Sequence, residues 1–318
     1  KKQGLHTEWF ENGQKYEEEN YKEGLKHGSW NVWYENDGSM FAGTYKNGKK
    51  DGLFTDWHAN GHKKLEGKYQ DDLWVGKWTS WYENKQTMQE GSYKEGKQDG
   101  LHTVWYENGK KKSEKFYKGG EIIEVHSWNY YENGQEKSEG IYKNGKKEGL
   151  HIEWHENGKK ASEGTYKAGK EVGLLTIWNK NGNKTFEANF GSGKILDKTE
   201  WEYFEDGKSK SLRSYKNNKK HGLQSEWHSN GNKKSEGTFE NGKETGVFTT
   251  WYDNNKEKMK VTYQNGKKYG LDTEWYLDGK KASEKKWKKG VPHGKWTAWN
   301  EDGSIDYKRN YRNGKLIK

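Results

Sequence analysis

The residues that come nearest to a chemical site in this sequence are His151, Glu153 and His155, which alternate along a run of strand-like residues. Imidazole nitrogens and carboxylate oxygens are ligands that zinc takes in proteins. Alternate residues of a strand lie about 7 Å apart, so the two imidazoles would be roughly 13 Å apart and could not share one ion. His58, His155 and His228 occupy one position of a repeat. We therefore expect packing or surface roles for these histidines, and no metal site.

Carboxylates follow the same repeat. An acidic residue recurs at one repeat position, at Glu8, Asp56, Glu153, Glu226 and Glu274. A catalytic pair would break such a repeat, since its acid and its base need different environments. The sequence has no Gly-x-Ser-x-Gly motif, phosphate-binding loop or nucleophile beside a base, and it has no cysteine, which excludes thiol catalysis and disulfides. We expect no enzyme activity, no catalytic residue and no cofactor.

The element that positions these residues is a repeat of about 24 residues, clearest in Gly149 to Val172, GLHIEWHENGKKASEGTYKAGKEV. It contains two strand-like runs, each followed by a turn, at Asn157-Gly158 and at Ala168-Gly169. Asn-Gly favours a type I′ hairpin turn, because both central residues of that turn take a positive φ. One copy is therefore a β-hairpin and the turn that leads into the next copy.

An aromatic residue precedes the first turn of each of thirteen copies, at intervals of 24 residues with two intervals of 25. A fixed period of this size indicates a solenoid or array. The two longer copies place Val125 and Lys198 where the others have an opening glycine, and we expect a bulge or bend there. The sequence thus predicts an all-β fold: an elongated antiparallel β-meander or solenoid of about thirteen 24-residue hairpin repeats. Residues 1–318 would form one array with irregular joints near 124–128 and 197–201.

Composition alone would suggest disorder, since mean hydropathy is -1.49 and 33% of the residues are charged. The 18 Trp and 21 Tyr at regular spacing favour an ordered repeat instead. The net charge of +10 comes from 58 basic and 48 acidic residues, a mixed surface on which we do not expect nucleic acid to bind. No apolar run reaches the roughly 20 residues of a transmembrane helix. Because the chain begins at Lys1 and not at Met, we expect a trimmed or processed form, with a secreted or envelope location favoured and a cytoplasmic one left open.

The register of each hairpin decides which side chains share a face. In the Gly149 copy, a two-residue loop would place Trp154 and Tyr166 on opposite faces. We favour a three-residue loop with a bulge that pairs Trp154 with Ser162 and Leu150 with Tyr166. Leu150, Trp154 and Tyr166 then lie on one face, where Gly164 leaves room for neighbouring rings.

Two sets of residues are candidate binding elements. The first is a ladder of tryptophans, at Trp9, Trp33, Trp57, Trp81, Trp105, Trp154, Trp178, Trp227, Trp251, Trp275 and Trp299. The second is a basic margin formed by the second turns, at Lys49, Lys50, Lys146, Lys147, Lys219, Lys220, Lys267 and Lys268. The alternative roles are that the rings hold the hairpins together and that the lysines provide solubility and protect the edge.

The segment Tyr142 to Gly149, YKNGKKEG, resembles the MORN repeat. With Trp105 to Gly109, WYENG, the pattern is similar to the bacterial MORN-variant repeat of proteins often labelled YwqK-family antitoxins. The resemblance extends over nearly the whole chain and implies a meandering sheet of hairpins. It also implies a scaffold, membrane-associated module or partner-binding protein, and it carries no catalytic residues to transfer.

The sequence therefore favours a non-enzymatic repeat scaffold that binds another macromolecule, with protein as the favoured partner. One alternative is a toxin-neutralising immunity protein or antitoxin, which a neighbouring toxin gene would support; the positive net charge weighs against a nuclease as its target. Another is a module that binds cell-envelope glycan or anionic lipid, which would show salt-sensitive retention.

Overall fold

The computed structural model describes residues 1–317, and every regular element among them is a β-strand. The chain divides into two compact units, unit 1 (Lys1–His151) and unit 2, which begins at Ile152. Unit 1 contains β1 (Gly4–Trp9), β2 (Lys15–Lys22), β3 (Leu25–Trp33), β4 (Ser39–Lys46), β5 (Lys49–Lys50), β6 (Gly52–Trp57), β7 (Lys63–Gln70), β8 (Leu73–Trp81), β9 (Thr87–Lys94), β10 (Lys97–Gln98), β11 (Gly100–Trp105), β12 (Lys111–Lys118), β13 (Glu121–Tyr130) and β14 (Glu136–Lys143). The division falls within β15 (Lys146–Trp154). Unit 2 contains β16 (Lys160–Lys167), β17 (Lys170–Trp178), β18 (Lys184–Gly191), β19 (Lys194–Tyr203), β20 (Ser209–Lys216), β21 (Lys219–Trp227), β22 (Lys233–Glu240), β23 (Lys243–Trp251), β24 (Glu257–Gln264), β25 (Lys267–Trp275), β26 (Lys281–Lys288), β27 (Val291–Trp299), β28 (Ile305–Arg312) and β29 (Lys315–Ile317).

Strands that follow one another in sequence pair antiparallel within each unit. In unit 1 this holds from β1 to β14, with the two-residue strands β5 and β10 extending the pairing of β4 and β9. In unit 2 it holds from β16 to β29. The prediction of an all-β meander of antiparallel hairpin repeats is confirmed.

The two turns of a copy differ in type. At the first turn of the Gly149 copy, the His155 N–H donates to the Lys159 carbonyl at 2.8 Å and the Gly158 N–H donates to the His155 carbonyl at 2.9 Å. Gly158 alone has a positive φ, 78°, so this is a three-residue loop, as predicted, and not a type I′ turn. The type I′ turn is the second one, where Ala168 and Gly169 have φ values of 51° and 82°.

The predicted register is wrong by one residue. In the Gly100 copy, the opening glycine pairs with Tyr117, whereas the prediction for the Gly149 copy paired the corresponding tyrosine, Tyr166, with Leu150. The pairing shifts between Val104 and Trp105, and Trp105 faces Lys111. Lys112, on the partner strand, is the extra residue of this bulge and has no partner. Tyrosine and tryptophan consequently lie on opposite faces of the sheet.

Bulges occur in the regular copies as well as in the two longer copies, where the sequence predicted them. In the regular copy that opens at Gly173, two residues, Gly173 and Leu174, have no partner on the preceding strand. The two longer copies carry a bulge of one residue, Ile123 in β13 and Leu196 in β19. Fewer residues of the longer copies are left without a partner on the preceding strand, because the extra residue extends the first strand of the copy.

Few side chains of the described residues are fully buried, because each unit is a single layer of sheet. The buried apolar residues are Val32, Phe54 and Trp78 in unit 1, and Ala188, Phe239, Val261 and Ala298 in unit 2. Half-buried rings on one face, and half-buried tryptophans with polar side chains on the other, account for most of the packing, so stability depends on contacts between adjacent hairpins.

Candidate binding surfaces

One face of the sheet, which we call the ring face, carries the tyrosine of each second strand and the residue two positions after each opening glycine. Neighbouring rings on it have centroids 4.0 to 6.2 Å apart in unit 1, in the range of favourable ring packing. The rings in this series are Trp30, Phe41, Tyr45, Phe54, Tyr69, Trp74, Trp78, Tyr93, His102 and Tyr117. Shorter series in unit 2 join Phe239, Phe248 and Tyr263, and Trp287, Trp296 and Tyr311.

The glycine within the second strand makes room for a side chain of the next copy, which is a ring at Gly43 and Gly237 but Leu175 at Gly164, where the sequence predicted rings. A Cβ atom on Gly43 would lie 2.5 Å from Cε1 of Phe54. In unit 2, a Cβ atom on Gly164 would lie 2.6 Å from Cδ1 of Leu175, and one on Gly237 would overlap the ring of Phe248. The strand glycine therefore permits contact between adjacent hairpins on the ring face.

The lysines of the predicted basic margin divide into two groups. The second lysine of each pair turns towards the ring face: the Nζ atoms of Lys50, Lys220 and Lys268 lie 5.3, 5.0 and 5.1 Å from the ring centroids of Phe54, Phe239 and Trp287. Such cation–π contacts contribute to packing between hairpins. The first lysine of each pair is exposed, at Lys49, Lys146, Lys219 and Lys267. Lys147 is half-buried.

The predicted tryptophan ladder lies on the opposite face, which we call the leucine face. Within each unit these tryptophans form a row with one ring per copy, and none of them is fully buried. The Nζ atom of Lys15 lies 5.8 Å from the ring centroid of Trp33, and that lysine also pairs with Glu18 at 2.6 Å. In unit 2, the Nζ atom of Lys233 lies 5.9 Å from the ring centroid of Trp251. A lysine of one copy thus covers part of the indole of the next.

A row of exposed aliphatic side chains on this face was missed by the sequence reasoning. Each follows its opening glycine, and their exposures are 41 to 56%. The members of this leucine row are Leu5, Leu53, Leu101 and Leu150 in unit 1, and Leu174, Leu223, Val247 and Leu271 in unit 2. In unit 2 these residues belong to the bulges and lack a partner on the preceding strand. Bulges re-aim side chains, and here they present an aliphatic group to solvent.

The histidines bind backbone groups. The Nε2 atoms of His58, His155 and His228 lie 2.9, 2.9 and 3.1 Å from the carbonyl oxygens of the next tryptophan along the row, Trp81, Trp178 and Trp251. This links adjacent copies, in keeping with the packing role that we expected. Among residues 1–317, no group of three His, Asp or Glu side chains is placed to hold a metal ion.

Tyrosines at the same repeat position make the equivalent bond. The hydroxyl of Tyr252 donates to the Trp275 carbonyl at 2.9 Å. Replacing Tyr252 with phenylalanine is expected to destabilise unit 2 by about 1 kcal/mol, because one part-buried hydrogen bond is lost and the ring is kept. Urea denaturation measures this change. The control is Tyr269→Phe, at a position that is 42% exposed, where a change below about 0.5 kcal/mol is expected. Equal losses in both variants would contradict the link between copies.

A charged cluster interrupts the ring face near the start of unit 1. The Glu19 carboxylate accepts hydrogen bonds from Lys26 and Tyr21, and Glu17 accepts one from Trp30 Nε1 at 2.5 Å. Burial alone would raise the pKa of Glu19, but the bonds from Lys26 and Tyr21 outweigh it and lower that pKa. Burial raises the pKa of Glu17, aided by the neighbouring Glu19 and opposed by Trp30. The hydrogen bond to Glu19 raises the pKa of Tyr21 to about 12.

A second buried carboxylate, Asp272, occupies the ring-face position of its copy in unit 2. It is 1% exposed, and its Oδ2 atom lies 2.7 Å from Lys268 Nζ and 3.2 Å from Trp287 Nε1. The ammonium group and the indole N–H together compensate a charge that would otherwise be costly to bury. Both this cluster and the one in unit 1 hold adjacent hairpins together on the ring face.

Six segments of the chain match the family model of the MORN repeat variant, at residues 2–23, 74–95, 98–118, 147–168, 220–241 and 292–317. Each segment covers one opening glycine and the hairpin that follows it. These six segments are similar to MORN-variant repeats, and repeats of this kind indicate a repeat scaffold. Such repeats are generally non-catalytic, and they often bind protein or membrane lipid. The described residues 1–317 include no helix long and apolar enough to cross a membrane.

Solved structures give remote matches. A crystal structure of TcdB2-TccC3-Cdc42 aligns with 99% of this chain and 21% of that chain, at 12% identity and a TM-score of 0.24. A structure of the Photorhabdus luminescens Tc holotoxin pore aligns with 97% of this chain and 18% of that chain, at 12% identity and a TM-score of 0.24. The chain thus spans about a fifth of the length of these proteins. Since both TM-scores are below 0.5, neither likeness supports an argument about this chain. No curated protein matches it.

Proposed function

We propose that this chain is a non-enzymatic scaffold that binds another protein through its leucine face. The observation that carries the proposal is the leucine row, in which eight copies each present an aliphatic side chain that is 41 to 56% exposed. Contiguous exposed apolar surface usually marks an interaction site, and in unit 2 the leucine row runs through three successive copies at Leu223, Val247 and Leu271. The ring contacts that hold adjacent hairpins together lie mainly on the other face.

The surroundings of the row favour a protein as the partner. The row of tryptophans lies on the same face, and tryptophan is among the residues that contribute most to protein interfaces. Exposed lysines border the row at the second turns, so the surface is apolar in its middle and charged at its margin. Protein interfaces have this arrangement of an apolar centre and a polar rim.

Site-specific photocrosslinking in the source cells tests this proposal. A photoreactive residue at Leu223 is expected to form protein adducts, whereas one at Lys220, exposed on the ring face of the same strand, is not. The partner identified from the adduct should then bind the purified chain, and Leu223→Asp should weaken that binding by at least about tenfold.

The identity of the adduct also separates the alternatives. A toxin as the partner would show that the scaffold acts as an immunity protein. Adducts with glycan or lipid alone, or equal crosslinking from Leu223 and Lys220, would refute a protein-binding leucine face.

A further inference from the structure

A row of five lysines follows the second turns of unit 2 on the leucine face. Lys170, Lys194, Lys219, Lys243 and Lys267 are the first residues of β17, β19, β21, β23 and β25, and all five are exposed. The row has one ammonium group for every two strands, a spacing of roughly 9.6 Å. We call these residues the lysine row.

Backbone hydrogen bonds hold this spacing. The N–H groups of Gly193, Gly242 and Gly266, each in one second turn, donate to carbonyl groups of the preceding copy, on Glu171, Lys220 and Glu244, at 2.8 to 2.9 Å. The stems of Lys170 and Lys243 lie beside Gly193 and Gly266 of the following turns, where an added Cβ atom would be 3.4 Å from the Cβ atom of the lysine. The turns therefore form a rigid series, and the lysine stems are ordered along it.

The five ammonium groups of the lysine row form no ion pair or hydrogen bond with another residue that the structure describes. Another series of lysines on the same face, near the first turns, is neutralised: Lys184 pairs with Glu187, Lys233 with Glu236 and Lys281 with Glu284. Carboxylates do lie near the second turns. Glu171 and Glu244 point towards the ring face. Glu240 lies opposite Lys243 and Asp197 lies opposite Lys216, but neither carboxylate forms an ion pair with the lysine row. The lysine row is thus left open to an external anion.

The lysine row runs beside the leucine row. Leu174, Leu223, Val247 and Leu271 each lie four residues after one of these lysines, on the same face. A ligand along the second turns would therefore meet two parallel series, one cationic and one aliphatic, and the aliphatic series lacks a member only in the copy of Lys194. A nucleic acid would leave the aliphatic series without a partner.

A helix is the protein element that fits both rows. Seven helical residues rise about 10.5 Å, close to the spacing of two strands, so side chains seven residues apart can meet successive copies. A helix is also about 10 Å wide, and its apolar stripe and one flank can contact two parallel rows at once. An extended peptide cannot do so, because the side chains that it directs to a surface lie along one line.

We propose that unit 2 binds an acidic amphipathic helix laid across its strands, with aliphatic residues of the helix on the leucine row and carboxylates on the lysine row. This assignment rests on the proposed protein-binding function and specifies the chemistry of the partner. Binding should weaken with salt, because the lysine row is solvent-exposed.

A designed helical peptide tests the assignment on the full chain. The probe has leucine at every seventh position and glutamate along one flank, and its binding is measured by fluorescence anisotropy at low and high salt. We expect the triple variant Lys219→Gln, Lys243→Gln, Lys267→Gln to bind the probe at least about tenfold more weakly than the unchanged chain. The matched control Lys184→Gln, Lys233→Gln, Lys281→Gln removes as many charges from the paired series and should bind within about twofold of the unchanged chain.

Three results would overturn the assignment. The first is equal binding of the probe by the two triple variants, and the second is that a probe with lysine in place of glutamate binds as well as the acidic probe. The third is that phosphatidylserine vesicles bind through the lysine row while the peptide does not bind. Circular dichroism and tryptophan fluorescence verify that both variants keep the fold. If Leu223 crosslinks a protein but the peptide fails, only the helix assignment fails. If Leu223 crosslinks no protein, the proposed function fails as well.

Discussion

Replacing Phe54 with alanine is expected to destabilise unit 1 by about 3 to 5 kcal/mol, the usual loss for truncating a buried phenylalanine. Phe54 is 1% exposed, and its ring centroid lies 4.8 to 5.8 Å from those of Phe41, Tyr45 and Tyr69. Phe41 and Tyr45 belong to the preceding hairpin and Tyr69 to the same hairpin as Phe54, so the truncation breaks contacts within one copy and with the copy before it. Hydrogen exchange measures the effect locally, and amides of β4, β6 and β7 should exchange faster by at least about a hundredfold.

The neighbouring residue provides a matched control. Leu53 is 48% exposed on the opposite face, so Leu53→Ala should change stability by less than about 0.5 kcal/mol. A loss at Leu53 as large as that at Phe54 would contradict the assignment of the two faces.

A double-mutant cycle tests the contact between Phe54 and the strand glycine. Gly43→Ala places a Cβ atom 2.5 Å from the ring and should cost about 1 to 3 kcal/mol alone. In the Phe54→Ala background most of that cost should disappear, because the overlap is relieved. Additive losses would show that the two residues do not conflict.

The number and type of elements could be predicted from the spacing of the aromatic residues. A strict period with two turn signals per copy specifies hairpins, and the structure has them. The register could not be predicted, because it depends on a bulge beside the tryptophan. In the first copy Trp9 faces Lys15 and Glu8 faces Glu17, so Tyr16 is the extra residue. One such residue moves every later side chain of the strand to the other face.

The candidate surface was predicted only in part, for the same reason. The tryptophans do share a face within each unit, but their predicted neighbour, the tyrosine of the second strand, lies on the other face. The sequence analysis placed Leu150 on the face of Trp154, as the structure does, but did not predict that the leucines are exposed. The signal in the sequence is the glycine directly before each leucine, since a glycine within a strand often marks a bulge.

The charged cluster around Glu17 and Glu19 should give the second large effect on the stability of unit 1, and this effect depends on pH. Glu19→Gln is expected to destabilise unit 1 by about 2 to 3 kcal/mol at pH 7, because it leaves the Lys26 ammonium group without its buried counter-charge. The neighbouring Glu18, on the leucine face, pairs with the exposed Lys15 at 2.6 Å. Glu18→Gln should therefore cost less than about 1 kcal/mol.

The pKa shifts predict how these effects change with pH. The pKa of Glu19 is lowered in the folded chain, so its contribution is complete above the ordinary glutamate pKa of 4.5 and is lost as pH falls through the folded value. The difference between Glu19→Gln and the unchanged chain should thus decline towards zero below about pH 4. The pKa of Glu17 is raised, so its ionisation costs stability as pH rises above 4.5. Glu17→Gln should accordingly stabilise unit 1 at pH 7, and have no such effect at about pH 3. Urea denaturation of the three variants from pH 3 to 7 measures these changes in the free energy of unfolding. If Glu17→Gln and Glu19→Gln both destabilise unit 1 at pH 7, the two carboxylates do not differ as described.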